Sequence, residues 1–169
     1  MIDRILKKIV GTPLIIYTVR CCIGFIIGYF LYEKYPDFEL FWTLLSIILV
    51  ISPEEKDTRK LSIERSKSNF IGSAVALVHL YFWDDSFYAI ISGIILTIII
   101  CRLFKVMTMA RVALVALLII MIQPHGNSLV EAPIFRFASV TLGCLIGLLI
   151  VVCSSMLIRP LKNKYNIPY

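Results

Sequence analysis

Phe137–Ile158, FASVTLGCLIGLLIVVCSSMLI, runs from end to end without one charged side chain. The hydrocarbon core of a bilayer takes about 20 consecutive apolar residues as a helix. This stretch therefore specifies a transmembrane helix, and the rest of the chain has the same character. Of its 169 residues, 59% are apolar and 17% charged, and the mean hydropathy is +0.89. A soluble domain is about 45–50% apolar and about 25% charged.

Working outward, five further apolar stretches precede the quoted one. The six spans are roughly 12–32, 38–52, 68–83, 87–104, 106–123 and 134–158. Each is expected as a helix, because hydrocarbon cannot satisfy an open strand and the alternation of a barrel strand is absent. The first run contains Arg20 and lacks a small-residue cleavage site, so it is expected to be retained as a span rather than removed as a signal peptide. The reading is an all-α polytopic membrane protein, residues 1–169 forming a single transmembrane domain.

The charges give the orientation. The net charge of +6 is not spread evenly. Arg4, Lys7 and Lys8 precede the first span, and Lys56, Arg59, Lys60, Arg65 and Lys67 lie in what reads as a loop at 53–67. Arg102 and Lys105 follow the fourth span, and Arg159, Lys162 and Lys164 follow the sixth. The opposite side holds Lys34 alone among basic residues, with Glu33, Asp37, Asp84, Asp85 and Glu131. Short cytoplasmic loops collect Lys and Arg. Both termini are therefore expected in the cytoplasm, with the chain multi-pass in the inner membrane. Basic residues placed this way control topology, so no nucleic-acid partner is expected.

The halves of the chain also match each other at a single constant offset. Pro53 pairs with Pro124, Arg65 with Arg136, Ser68 with Ser139, Gly72 with Gly143 and Ala76 with Gly147. Residues 12–83 and 87–158 are expected to be three-helix repeats. An odd number of spans makes the second repeat enter from the other side, which gives inverted topology, common in transporters. The second and fifth spans are short and end at the matched prolines, Pro53 and Pro124. Short or interrupted spans at corresponding positions point to a transport site, although proline also ends any helix simply by lacking a donor.

The repeated string, Arg-x-x-Ser-x-x-x-Gly-x-x-x-small, places its members on one helix face. Gly72, Ala76, Gly143 and Gly147 thus form flat stripes that allow close helix approach, as do Gly24 and Gly28 in the first span. Arg20, Arg65, Arg111 and Arg136 lie inside or at the edge of apolar spans. A charge at a helix centre costs about 2.5–3.5 kcal/mol on insertion scales. These arginines either snorkel to the interface or bind anionic groups in a water-filled path. His79 on an apolar helix reads first as a packed, neutral residue. Cys21, Cys22, Cys101, Cys144 and Cys153 form no CxxC pair and read as small packing residues. No metal, cofactor, phosphate loop or nucleophile–base pair is expected, and an enzyme is not the reading.

The succession VRCCIGFIIG (19–28), FWTLLSIILVISP (41–53), ERSKSNFIGSAVAL (64–77) and IIMIQPHGNSLVEAPIFRFASVTLGCLIGLLI (119–150) resembles the fusaric acid resistance (FUSC) and aromatic acid exporter family. The resemblance covers about 14–158. It implies proton-driven export of aromatic carboxylic acids and related weak organic anions, with Arg20 as the basic position of the first span and Arg65 and Arg136 before the glycine helices. Many members have a glycine three residues after that arginine, where Ser68 and Ser139 stand here. Many also have a cytosolic domain and a second six-helix module, so two copies of this chain are expected to assemble as a homo-oligomer in the lipid bilayer; an export adaptor protein is a further partner that the export reading allows. A non-transporting accessory subunit or an immunity protein is the rival reading.

Overall fold

The computed structural model describes residues 12–36, 40–82, 87–105, 107–122 and 131–164. Within them lie six α-helices and no strand: α1 Pro13–Lys34, α2 Phe41–Val50, α3 Glu55–Phe82, α4 Phe87–Leu103, α5 Ala110–Ile122 and α6 Glu131–Lys164, with a 3-10 turn at Met107–Met109 before α5. Pro124, His125, Asp37, Asp84, Asp85 and both chain ends lie outside the described residues.

The ends of the helices follow from local chemistry. Pro13 occupies the first turn of α1, where its missing N–H is not needed. Helix α2 stops at Val50 with Ile51 already extended, shortly ahead of Pro53. Proline cannot donate to the next turn and excludes the helical conformation from the residue before it.

One expectation is corrected here. Residues 55–67 are not a loop but the first half of α3. Charge alone does not break a helix, and Glu-Lys-Asp-Thr-Arg-Lys contains neither Gly nor Pro. Glu55 and Asp57 sit in the first turn, where the helix dipole favours acids. Glu55 pairs with Arg59 one turn on, at 3.9 Å. The Thr58 hydroxyl accepts the Ser52 N–H at 3.0 Å, fixing how the chain turns from α2 into α3.

Among the described residues, two helices are long and apolar enough to cross a membrane, α1 and residues 131–158 of α6. The apolar helices α2, α4 and α5 are shorter. At 1.5 Å per residue, the 10 residues of α2 reach only about 15 Å, half of a hydrocarbon core. Large apolar side chains cover the outside: Phe30 is 62% exposed, Leu149 61% and Phe87 71%. Soluble monomers rarely leave such faces to water.

The chain divides into two compact units. The first comprises the residues up to 62 and those from 142 onward. Its interior is formed by Ile47, Ile51 and Val151, with Tyr17, Cys21, Ile146 and Ile150 packed against them. The second comprises 63–141, with an interior built from Ile71, Val75, Ala76, Ala89, Cys101, Ala113, Leu117 and Ile120 among others.

Each unit has the same internal plan. In the first, α1 and α2 pack together and Gly143 of α6 lies on the backbone of α2 at Thr43. In the second, α4 and α5 pack together and Gly72 of α3 lies on the backbone of α5 at Ala113. Burial repeats residue by residue. Arg20, Gly24 and Gly28 of α1 are buried, and Ala89, Gly93 and Thr97 of α4 are their counterparts. Leu40, Thr43, Ser46, Ile47, Val50 and Ile51 recur as Ala110, Ala113, Ala116, Leu117, Ile120 and Met121. Ser68, Asn69, Gly72, Ser73 and Ala76 recur as Ser139, Val140, Gly143, Cys144 and Gly147, all buried. The offset that pairs Gly72 with Gly143 thus describes the third helices. It is one position shorter for the second helices and two shorter for the first, so the connections between them differ by one residue each.

Candidate functional site

The four arginines fare differently. Arg20 is 4% exposed, and its guanidinium is turned inward. Nε donates to the Ser154 hydroxyl at 2.8 Å and Nη2 to the Ser155 hydroxyl at 2.9 Å. Nη1 donates to the carbonyls of Ser52 at 3.2 Å and Pro53 at 2.9 Å. These carbonyls follow the C-terminus of α2, where a cation offsets the negative end of the helix dipole. Arg20 thereby ties α1 to the end of α2 and to α6, using four of its five donors. Its fork is occupied by these serine hydroxyls and carbonyls.

Arg65 is half-buried, Arg111 exposed and Arg136 4% exposed. These three belong to the second unit and Arg20 to the first. The small residues lie at close contacts. A Cβ on Gly143 would overlap the Thr43 carbonyl oxygen, and one on Gly72 the Ala113 carbonyl oxygen. Gly24 and Gly28 face the side chains of Ile47 and Leu44, Gly147 faces Ile47 and Ala76 is fully buried.

A cavity of about 300 Å³ opens in the second unit, lined by Lys67, Phe70, Ile71, Ala74 and Val75 of α3 and by Ile100 and Phe104 at the end of α4. Its walls are apolar except for the Lys67 ammonium. Phe70 is held edge-on by Phe137, with ring centroids 5.3 Å apart at 65°, a favoured aromatic geometry. Lys105, adjoining Phe104, takes the left-handed backbone conformation at φ 56°, unusual for a residue with a side chain, where the chain reverses after α4. The chemistry on offer is one cation beside two aromatic rings in a small apolar recess. Ligand sites of this type are mostly apolar with a few placed polar groups, and about 300 Å³ is the low end of their range.

The family model described as fusaric acid resistance protein-like matches residues 22–150. The chain belongs to the fusaric acid resistance protein-like family. That span takes in α1 from Cys22 through most of α6, including the cavity. Membership makes this a membrane-associated protein of a transporter family, with a membrane transport or resistance function. No curated protein and no solved structure matched the chain.

Sequence reasoning passed over Lys67 as one of the topology charges. The signal was nonetheless present: Lys67, Phe70, Ile71 and Ala74 stand at i, i+3, i+4 and i+7, one face of a helix.

Proposed function

We propose that this protein exports small aromatic or related weak organic anions across the inner membrane, as a homo-oligomer of chains with both termini cytoplasmic. The observation that carries this reading is the cavity with Lys67, Phe70 and Phe104 on its walls. A single ammonium suits a monoanion, the rings suit a flat apolar body and the volume suits one small molecule. Family membership supports transport as the task, and the recurring burial pattern supports two three-helix repeats of inverted topology. In that reading the short helices α2 and α5 hold corresponding places in the two repeats, as discontinuous helices do around transport sites.

Reconstituted into liposomes, the protein is expected to release preloaded benzoate. Lys67→Gln should reduce release on the order of tenfold, which corresponds to about 1.4 kcal/mol of lost anion attraction. Lys67→Arg should retain most of the activity. Equal release from Lys67→Gln and wild type would remove Lys67 from the anion path.

Topology has its own test. A reporter fused at Asn127 should be periplasmic, and one at the C-terminus cytoplasmic. A cytoplasmic Asn127 would overturn both the six-pass topology and the inverted repeat.

A further inference from the structure

The cavity beside Lys67 lies wholly in the second unit, and its rim continues along the outside of α3. Lys67, Phe70, Ala74 and Val78 follow one another at helical spacing and are all exposed, so they share one outward face. Phe70 is 56% exposed, and Phe104, on the α4 wall of the recess, is 71% exposed. Ile71 and Val75, also on the lining, are buried and make its floor. At 1.5 Å per residue, Lys67 to Val78 spans about 16 Å, close to one leaflet of a hydrocarbon core about 30 Å thick. The recess is thus the head of an apolar groove on the outside of the helices, with a cation at one end.

More positive charge gathers at that end. Arg102 and Lys105 stand where α4 finishes, and Arg111 opens α5 just after the turn. They flank Phe104, which shares the recess with Lys67. All four cations are exposed, and none makes an ion pair among the described residues. Glu64, the carboxylate one turn before Lys67, is half-buried. The order along α3 is therefore charge first and apolar groove after it, the order of a phospholipid entering its own leaflet.

We propose that this groove is a site for an anionic phospholipid, its phosphate at Lys67 and one acyl chain laid over Ile71, Ala74 and Val75. Lipid tails are as apolar as the groove, so the chain gains little by entering it. Selection falls to the headgroup. A net negative lipid meets the cations unopposed, whereas a zwitterionic one brings its own cation to them. The groove sets where that charge is held, because the phosphate is tethered a fixed distance above the chain. In the topology proposed above this end faces the cytoplasm, whose leaflet carries the anionic lipids. A small aromatic anion needs the same ammonium and the same floor, so lipid and anion exclude each other. That exclusion rests on the transport reading, whereas the lipid site does not.

Lipid retention is read without any transport. The purified protein, offered phosphatidylglycerol and phosphatidylcholine of equal chain length and weighed intact by native mass spectrometry, should keep phosphatidylglycerol in preference. Lys67→Gln should weaken that retention about fivefold, the worth of one lysine at an anionic surface. Lys67→Arg should keep it, as should Lys34→Gln, which removes an exposed cation from the first unit. Ala74→Trp fills the groove and leaves every charge in place, and it too should lower retention at an unchanged thermal midpoint. Equal retention of the two lipids by the wild type, or wild-type retention in Lys67→Gln or in Ala74→Trp, would overturn the site. Benzoate affinity should then be about fivefold lower in phosphatidylglycerol nanodiscs than in phosphatidylcholine ones, the lower end of ordinary coupling, at salt high enough to screen the surface charge. Equal affinity in both would overturn the exclusion. No benzoate binding in either would sink the transport reading, while lipid retention still decides the lipid site.

Discussion

Gly143→Ala is expected to destabilise the protein by about 3 kcal/mol or more, the upper end of the penalty for overpacking, while Gly93→Ala is expected to be neutral or stabilising. Both glycines are buried in helices, and both carry the same propensity penalty of about 0.5–1 kcal/mol relative to alanine. What differs is the atom each new methyl would meet. At Gly143 it would overlap the Thr43 carbonyl oxygen and come to 2.7 Å from the Ser46 Cβ. Neither can rotate away, so α6 and α2 must separate. At Gly93 the nearest atoms are the methyl ends of Leu117 at 3.4 and 3.5 Å and the Met121 sulfur at 3.5 Å, an ordinary contact. Gly72→Ala should behave like Gly143→Ala, since it meets the Ala113 carbonyl oxygen and the Ala116 Cβ at 2.9 Å. Thermal midpoints of the purified variants, with yield and monodispersity, check this. If Gly143→Ala melts with the wild type, helix contact at that glycine is not what holds α2 and α6 together.

These glycines show how far the sequence could be read. Their shared position in two matched strings was visible, and so was their likeness to close-approach motifs. The helices they touch were not. Spacing along one helix says which residues share a face, but the partner face is chosen in three dimensions. Gly143 of α6 meets α2 at Thr43 and Gly72 of α3 meets α5 at Ala113, pairings that no periodicity records. The slip in offset between the first and third helices was hidden for a related reason: an ungapped match cannot see two connections that each differ in length. Residues 55–67 were misread because charge density suggested a loop, although nothing in them breaks a helix.

The site was less legible than the fold. Lys67 gains meaning only when Ile100 and Phe104, at the far end of the next helix, come to line the same recess. The bland reading of His79 accounts for its burial but not for Ser92, its hydrogen-bond partner on the next helix. Arg20 was conspicuous as a charge in an apolar span, and its depth could be reckoned from the helix rise. Its acceptors, two serines near the end of the last helix and two carbonyls after α2, could not.

Those acceptors make Arg20 the residue whose conservative replacement separates two roles. Arg20→Lys should lower stability by about 2–4 kcal/mol, the worth of losing one or two hydrogen bonds from a charged donor at about 1.5–3 kcal/mol each. The reason is geometric. The guanidinium spreads five donors over a planar fork, and here Nε, Nη1 and Nη2 point to three different places. An ammonium gathers three donors on one atom and cannot span them. Lysine would keep the expense of a buried charge while leaving some of the Ser52, Pro53, Ser154 and Ser155 oxygens unanswered. Arg20→Leu removes that charge and so recovers part of its burial penalty, but it strands both carbonyls, so it too should be less stable than the wild type. Ser155→Ala removes a single acceptor and should be milder than either. At about 2–4 °C per kcal/mol for a chain of this size, the lysine variant should melt roughly 4 to 16 °C lower. If Arg20 instead bound the transported anion, lysine would preserve the melting point and reduce benzoate release. If it only snorkelled, lysine would preserve both. A lysine variant as stable as the wild type would therefore overturn the role of Arg20 as the tie between α1, α6 and the end of α2, and the release assay would then say which of the other two roles it has.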